Sequence, residues 1–244
     1  MNTKSAWIAV ICLLPLPLVA QTHDVITMDQ EPHHHLALHN DSVKVFNVEV
    51  MPGDSIVLHS HDQDTIAIAI GEQLVTVGIP GKTIPPSKNA DGQVRLQRAG
   101  YIHSTHVDGD TPYHTVAVEL MQKQTSFHNL CAEILSGQPL NCPKVVIPIG
   151  ASNVQPLLES GETRALLVRV LAHQSMKLGE SPAAQVIVAL DAASVSSGTA
   201  KGPEKALKPG DFEWMDAATS HASTYQNPGD KEARFIQIVF LGVK

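Results

Sequence analysis

The stretch Pro52-Gly53-Asp54-Ser55-Ile56-Val57-Leu58-His59-Ser60-His61 decides how this chain is read. Pro-Gly-Asp is turn chemistry, since proline presets φ and glycine tolerates the left-handed backbone of a tight reversal. Residues 55–61 read as a strand leaving that turn. Alternate side chains on a strand share a face, so His59 and His61 point the same way. Two imidazoles so placed can take neighbouring positions around one metal ion.

Working outward, the neighbouring runs have the same period of two. Val43-Lys44-Val45-Phe46-Asn47-Val48-Glu49-Val50 alternates, as do Thr65-Ile66-Ala67-Ile68-Ala69-Ile70 and Thr115-Val116-Ala117-Val118-Glu119-Leu120. Asn89-Ala90-Asp91-Gly92 and Asp108-Gly109-Asp110 separate them. Many short strands at close spacing predict an antiparallel sandwich or barrel. Slid by 120 residues, the chain matches itself: Val48-Glu49-Val50 falls on Val168-Arg169-Val170, and Val116-Ala117-Val118 on Ile236-Gln237-Ile238. Gly109-Asp110 falls on Gly229-Asp230. Such a repeat can decide a fold. It predicts two similar β domains, 31–125 and 150–244, with an N-terminal arm (21–30) and a connector (126–149). One large sandwich is the alternative.

Composition limits the function classes. Of the 244 residues, 43% are hydrophobic and 17% charged, with 16 Gly and 16 Pro, which excludes a disordered chain and a helical bundle. A net charge of −7 argues against nucleic acid as a partner. Residues 1–20 have the form of a secretory signal: Lys4, an apolar run from Ile8 to Val19, and Leu18-Val19-Ala20 before Gln21. No membrane span is expected after its removal, and the protein is expected to be periplasmic or secreted. Cys131 and Cys142 are then an even pair in an oxidising compartment, which predicts one disulfide between them.

Eleven of the 13 histidines lie at or before residue 128. Gly53, five residues, His59-Ser60-His61, three residues, Thr65, and then Gly71 resemble the first motif of the cupins. Arg98-Ala99-Gly100-Tyr101-Ile102-His103 resembles their second. The resemblance implies tandem double-stranded β-helix (jelly-roll) barrels, making the chain a bicupin, and makes His59, His61 and His103 the metal ligands. It implies a divalent transition metal, iron first, with zinc, manganese, nickel or copper open.

Two departures stand out. Thr65 occupies the place of the usual carboxylate ligand, with Asp64 one position off, and Val107 stands where Asn is expected. A ligand set without a carboxylate leaves more positive charge at the centre, which favours an anionic substrate or hydroxide. If Thr65 faces the barrel axis, Ala67 and Ala69 do too, leaving room either for a small molecule or for a large side chain from another strand.

At the same offset the second copy has Gly179, Ser181 and Gln185, with His221 in the place of His103, so any chemistry is expected in the first copy alone. Tyr101 and His106 are candidates for proton transfer by proximity. In the triplet His33-His34-His35, strand alternation allows at most His33 and His35 to act together. The expected activity is metal-dependent oxygenation or isomerisation of a small organic molecule. The alternative is a non-catalytic barrel that binds a small ligand or a periplasmic protein. A homodimer is left open.

Overall fold

A computed structural model describes residues 25–131, 133–134, 153–177, 183–196, 204–220 and 223–242. The first copy contains β1 (Ile26–Thr27), β2 (His34–His39), β3 (Val43–Val50), β4 (Ser55–Ser60) and β5 (Thr65–Ala69). It continues through β6 (Gln73–Ile79), β7 (Lys82–Asn89), β8 (Val94–Gln97), β9 (Ile102–Val107) and β10 (Tyr113–Leu120). Two short strands occupy the connector, β11 (His128–Asn129) and β12 (Glu133–Ile134). The second copy holds β13 (Asn153–Glu159), β14 (Thr163–Val170), β15 (Ser175–Lys177), β16 (Ala184–Ala189) and β17 (Ala193–Ser196). Its last strands are β18 (Glu204–Leu207), β19 (Phe212–Met215), β20 (Thr224–Gln226) and β21 (Ala233–Phe240).

The protein is all-β, built as two jelly-roll barrels in tandem. In the first, the sheet β1-β4-β9-β6-β7 faces the sheet β12-β8-β5-β10-β3-β2. The second repeats the plan, with β11-β13-β14-β21-β16-β19 against β15-β20-β17-β18. The internal match extends to register. Ala117 pairs with Ala67 as Gln237 pairs with Ile187, and Gln97 pairs with Thr65 as Met215 pairs with Gln185.

The alternating runs explain how the barrels meet. Ile66, Ile68, Val116 and Val118 leave the first barrel on its outer face and join Val186, Val188, Ile236 and Ile238 of the second in one continuous core. Every residue of β5 is buried, because its other face lines the barrel interior. Each large aliphatic side chain buried this way contributes about 1.5–3 kcal/mol. At the edge of this contact Arg234 bonds both Asp191 (2.8 Å) and Asp91 (2.6 Å), one from each barrel.

The flanking segments are integrated with the barrels. β11 pairs with β13 of the second barrel and β12 with β8 of the first. Phe127 and Cys131 pack against the shared core. At the other end, β1 runs parallel to β4 and Met28 is buried. Residues 1–20 and Cys142 lie outside the described residues. Among the described residues, no helix is long and apolar enough to cross a membrane.

Candidate metal centre

The site forms where β4 and β9 pair. A register shift between Ile56 and His59 brings His59 opposite His103. Just beyond β4, the His61 N–H donates to Tyr101 O (2.9 Å), and His61 O accepts from Gly100 N (2.7 Å). Gly100 has a φ of 82°, in the left-handed region, which is why glycine serves at this turn. The turn thereby fixes His61 beside the start of β9.

His59, His61 and His103 are all buried, and one ring nitrogen from each lies within 4.8 Å of the others. Each outer nitrogen has a neighbour, and for His59 and His61 that neighbour assigns the tautomer. His59 Nδ1–H donates to Val57 O (2.9 Å). Thr65 Oγ1 donates to Gln63 O (3.2 Å), so it accepts from His61 Nδ1–H (3.1 Å). His103 Nδ1 faces Thr105 Oγ1 at 3.4 Å. The inner nitrogens of His59 and His61 are left as acceptors. His59 Nε2 is buried without a partner, and His61 Nε2 sits 3.0 Å from His103 Nε2.

At that distance the two nitrogens need a proton or a cation between them. Burial pushes the His59 pKa down to about 4 and that of His61 to about 3, and lowers that of His103 as well. All three rings are therefore neutral at neutral pH, the form that binds metal. This set fits a divalent transition metal.

Thr65 is buried behind His61, holding that ring by its outer nitrogen. Asp64 is turned away, its Oδ1 accepting from Arg98 Nε (2.7 Å) and Ala99 N (3.0 Å). Tyr101 lies 4.9 Å from His103 between ring centroids, with its hydroxyl buried and without a partner. His106 is exposed and bonds Ser55 Oγ (2.8 Å). Three residues along a strand reverse the side, so His106 is outside the cluster.

Ala67 and Ala69 line the interior, together with Arg95, Gln97, Tyr113 and Thr115, around a cavity of about 20 Å³ beside His103. Arg95 Nη2 donates to Asn89 Oδ1, Asn89 Nδ2 donates to Gln73 Oε1 (3.0 Å), and Gln73 Nε2 donates to His114 O. This relay holds the guanidinium against the barrel wall.

Sequence reasoning missed the Glu31–His34 pair. Glu31 is buried and bonds His34 Nδ1 (2.7 Å), His33 Nδ1 (3.2 Å) and the His33 N–H (2.8 Å). Burial alone would raise its pKa, but the hydrogen bonds from His34 and His33 outweigh this and hold it at about 2. The His34 ring stands 4.8 Å from that of His59. Alternation does not govern His33 because β2 begins at His34, leaving His33 in the preceding turn. An acidic residue three positions before His34 was the available signal. Gln97 was missed too, although it shares strand parity with Arg95 and pairs with Thr65.

Among the described residues, apolar side chains fill the interior of the second barrel. Gly179, Ser181 and His221 lie outside the described residues. Gln185, at the place of Thr65, is tied to Gln237 (2.6 Å) and Met215 (3.5 Å). Tyr225 stacks on Phe235 at 4.3 Å inside a cluster with Ile187 and Met215.

Neither a protein-family model nor a curated protein matches the chain. Solved structures do. AerE from Microcystis aeruginosa matches over 86% of this chain and 98% of its own, at 11% identity and a TM-score of 0.57. Salicylate 1,2-dioxygenase from Pseudoaminobacter salicylatoxidans, solved as adducts with gentisate, matches over 82% and 68%, at 12% identity and 0.56. A Cupin 2 conserved barrel domain protein from Leptotrichia buccalis matches over 84% and 86%, at 9% identity and 0.53. At these identities the likeness is one of fold, and the fold of this chain is the cupin barrel, present twice.

Proposed function

We propose that the first barrel holds one transition-metal ion on His59, His61 and His103 and uses it to oxygenate or isomerise a small organic molecule. Iron is the first choice; zinc, manganese, nickel and copper suit the same nitrogens. The observation that carries this reading is the convergence of three buried, neutral Nε2 atoms whose Nδ1 sides are already engaged. A divalent ion there supplies a Lewis-acidic centre with positions left for a bound molecule.

The chain's own residues do the rest. Burial raises the Tyr101 pKa, so its hydroxyl keeps its proton at neutral pH and donates a hydrogen bond to a molecule held beside His103. Arg95 brings a positive charge to the lumen, and with three neutral ligands the site favours an anionic group. Ala67 and Ala69 keep the wall thin. Glu31 anchors His34 against His59 and closes that side.

A second reading rests on the size of the lumen. About 20 Å³ holds roughly one water molecule, too little for an organic substrate, which favours a non-catalytic barrel whose small ligand or protein partner binds outside the lumen. Oxygen uptake and product analysis separate the two. Metal-loaded and chelator-stripped protein would be offered thiols, β-diketones, sugars and hydroxylated aromatic acids. Turnover that vanishes on chelation and returns with metal supports the enzyme. Bound metal with no turnover of any class supports the binding protein.

The export signal, the Cys131–Cys142 disulfide and a homodimer belong to this proposal as well. A mature N-terminus at Gln21, a free-thiol assay before and after reduction, and the mass in solution test them in turn.

A further inference from the structure

The site has Thr65 where the first cupin motif carries a carboxylate, and the structure supplies a different oxygen. Gln97 pairs with Thr65 across β8 and β5, is buried, and lines the cavity beside His103. Its side-chain amide lies 3.3 Å from His103 Nε2, the atom on the inner side of that ring. The amide's oxygen and nitrogen are interchangeable by a half-turn about a soft torsion, and which one faces the ring is set by the hydrogen-bond network. Without metal, the His103 tautomer that leaves Nε2 as an acceptor takes a hydrogen from the amide NH₂. With that lone pair given to a cation, the NH₂ loses its acceptor and the carbonyl oxygen becomes the favourable end to present.

We propose that Gln97 is the fourth protein ligand, its Oε1 standing in for the missing carboxylate. This rests on the three-histidine metal reading and deepens it. Thr65 cannot fill the role, because its hydroxyl is held between His61 Nδ1 and Gln63 O on the outer side of the ring. Asp64 cannot, because Arg98 and Ala99 hold its carboxylate elsewhere. An amide ligand keeps the protein's contribution neutral, so the full charge of the ion remains for an anionic partner. In the second barrel the equivalent residue is Met215, in a lumen filled with apolar side chains.

The test uses cobalt(II) as the probe on the full-length protein. Affinity is read by chelator competition and the ligand set by the visible absorption spectrum. Gln97→Glu is expected to bind cobalt about tenfold or more tighter, with a shifted spectrum, and Gln97→Leu about tenfold or more weaker. Gln97→Met replaces Gln97→Leu if the metal-free circular dichroism of the leucine variant departs from wild type. Any other combination of affinities, or a spectrum unmoved by Gln97→Glu, overturns the assignment. If wild type takes up no cobalt, the three-histidine reading itself has failed, which is a separate result.

Discussion

In the first barrel Ala67, Gln97, Thr105 and Thr115 face the lumen; the same register positions of the second hold Ile187, Met215, Tyr225 and Phe235. The backbones repeat, but one interior is thin-walled and polar, and the other is filled with apolar bulk. The second barrel gains burial, and its sheet supplies half of the core that holds the pair together. The first gives up that packing to keep three unprotonated imidazoles around a space. On the proposed function, the two copies thus divide stability from chemistry.

Emptying the filled barrel has the largest expected effect. Tyr225→Ala should lower the unfolding free energy by about 3–5 kcal/mol in urea titration and leave metal content unchanged. Acid should act on the other barrel. The buried His59 and His61 stay neutral down to about pH 4 and 3, while the unfolded chain protonates its imidazoles near 6.5. Below about 6.5 the unfolded state binds more protons, so stability falls as pH falls. Metal-free protein should lose about 2–3 kcal/mol per buried histidine between about pH 7 and 4.5, and His59→Asn should flatten that slope. Filling the first lumen is smaller. Ala67→Ile, which copies Ile187, should cost about 1–3 kcal/mol, keep the metal and abolish binding of small molecules, as read by calorimetry.

Much of this arrangement was legible in the sequence. Period two in Val43–Val50 and Thr65–Ile70, the turn at Pro52-Gly53-Asp54 and the match at 120 residues are local features, and the strands form where they dictate. His59 and His61 share a face because strand geometry requires it. The hidden part depends on contacts between distant segments. Thr65 orients His61 because its hydroxyl has Gln63 O as its own acceptor. His34 reaches His59 because the first segment runs beside β4, with Ile26 paired to His59. Gln97 matters only once β8 is seen to pair with β5 opposite Thr65. His106 had proximity in sequence, but the parity of β9 sends it outward.

The central claim is tested most directly by the metal content of the chain purified without a histidine tag, in wild type and in His59→Ala and His103→Ala. The account predicts about one transition-metal ion per chain in wild type and its loss in both variants, with the fold retained by circular dichroism. A wild-type protein that holds no stoichiometric metal after supplementation, or variants that both retain it, would contradict the account.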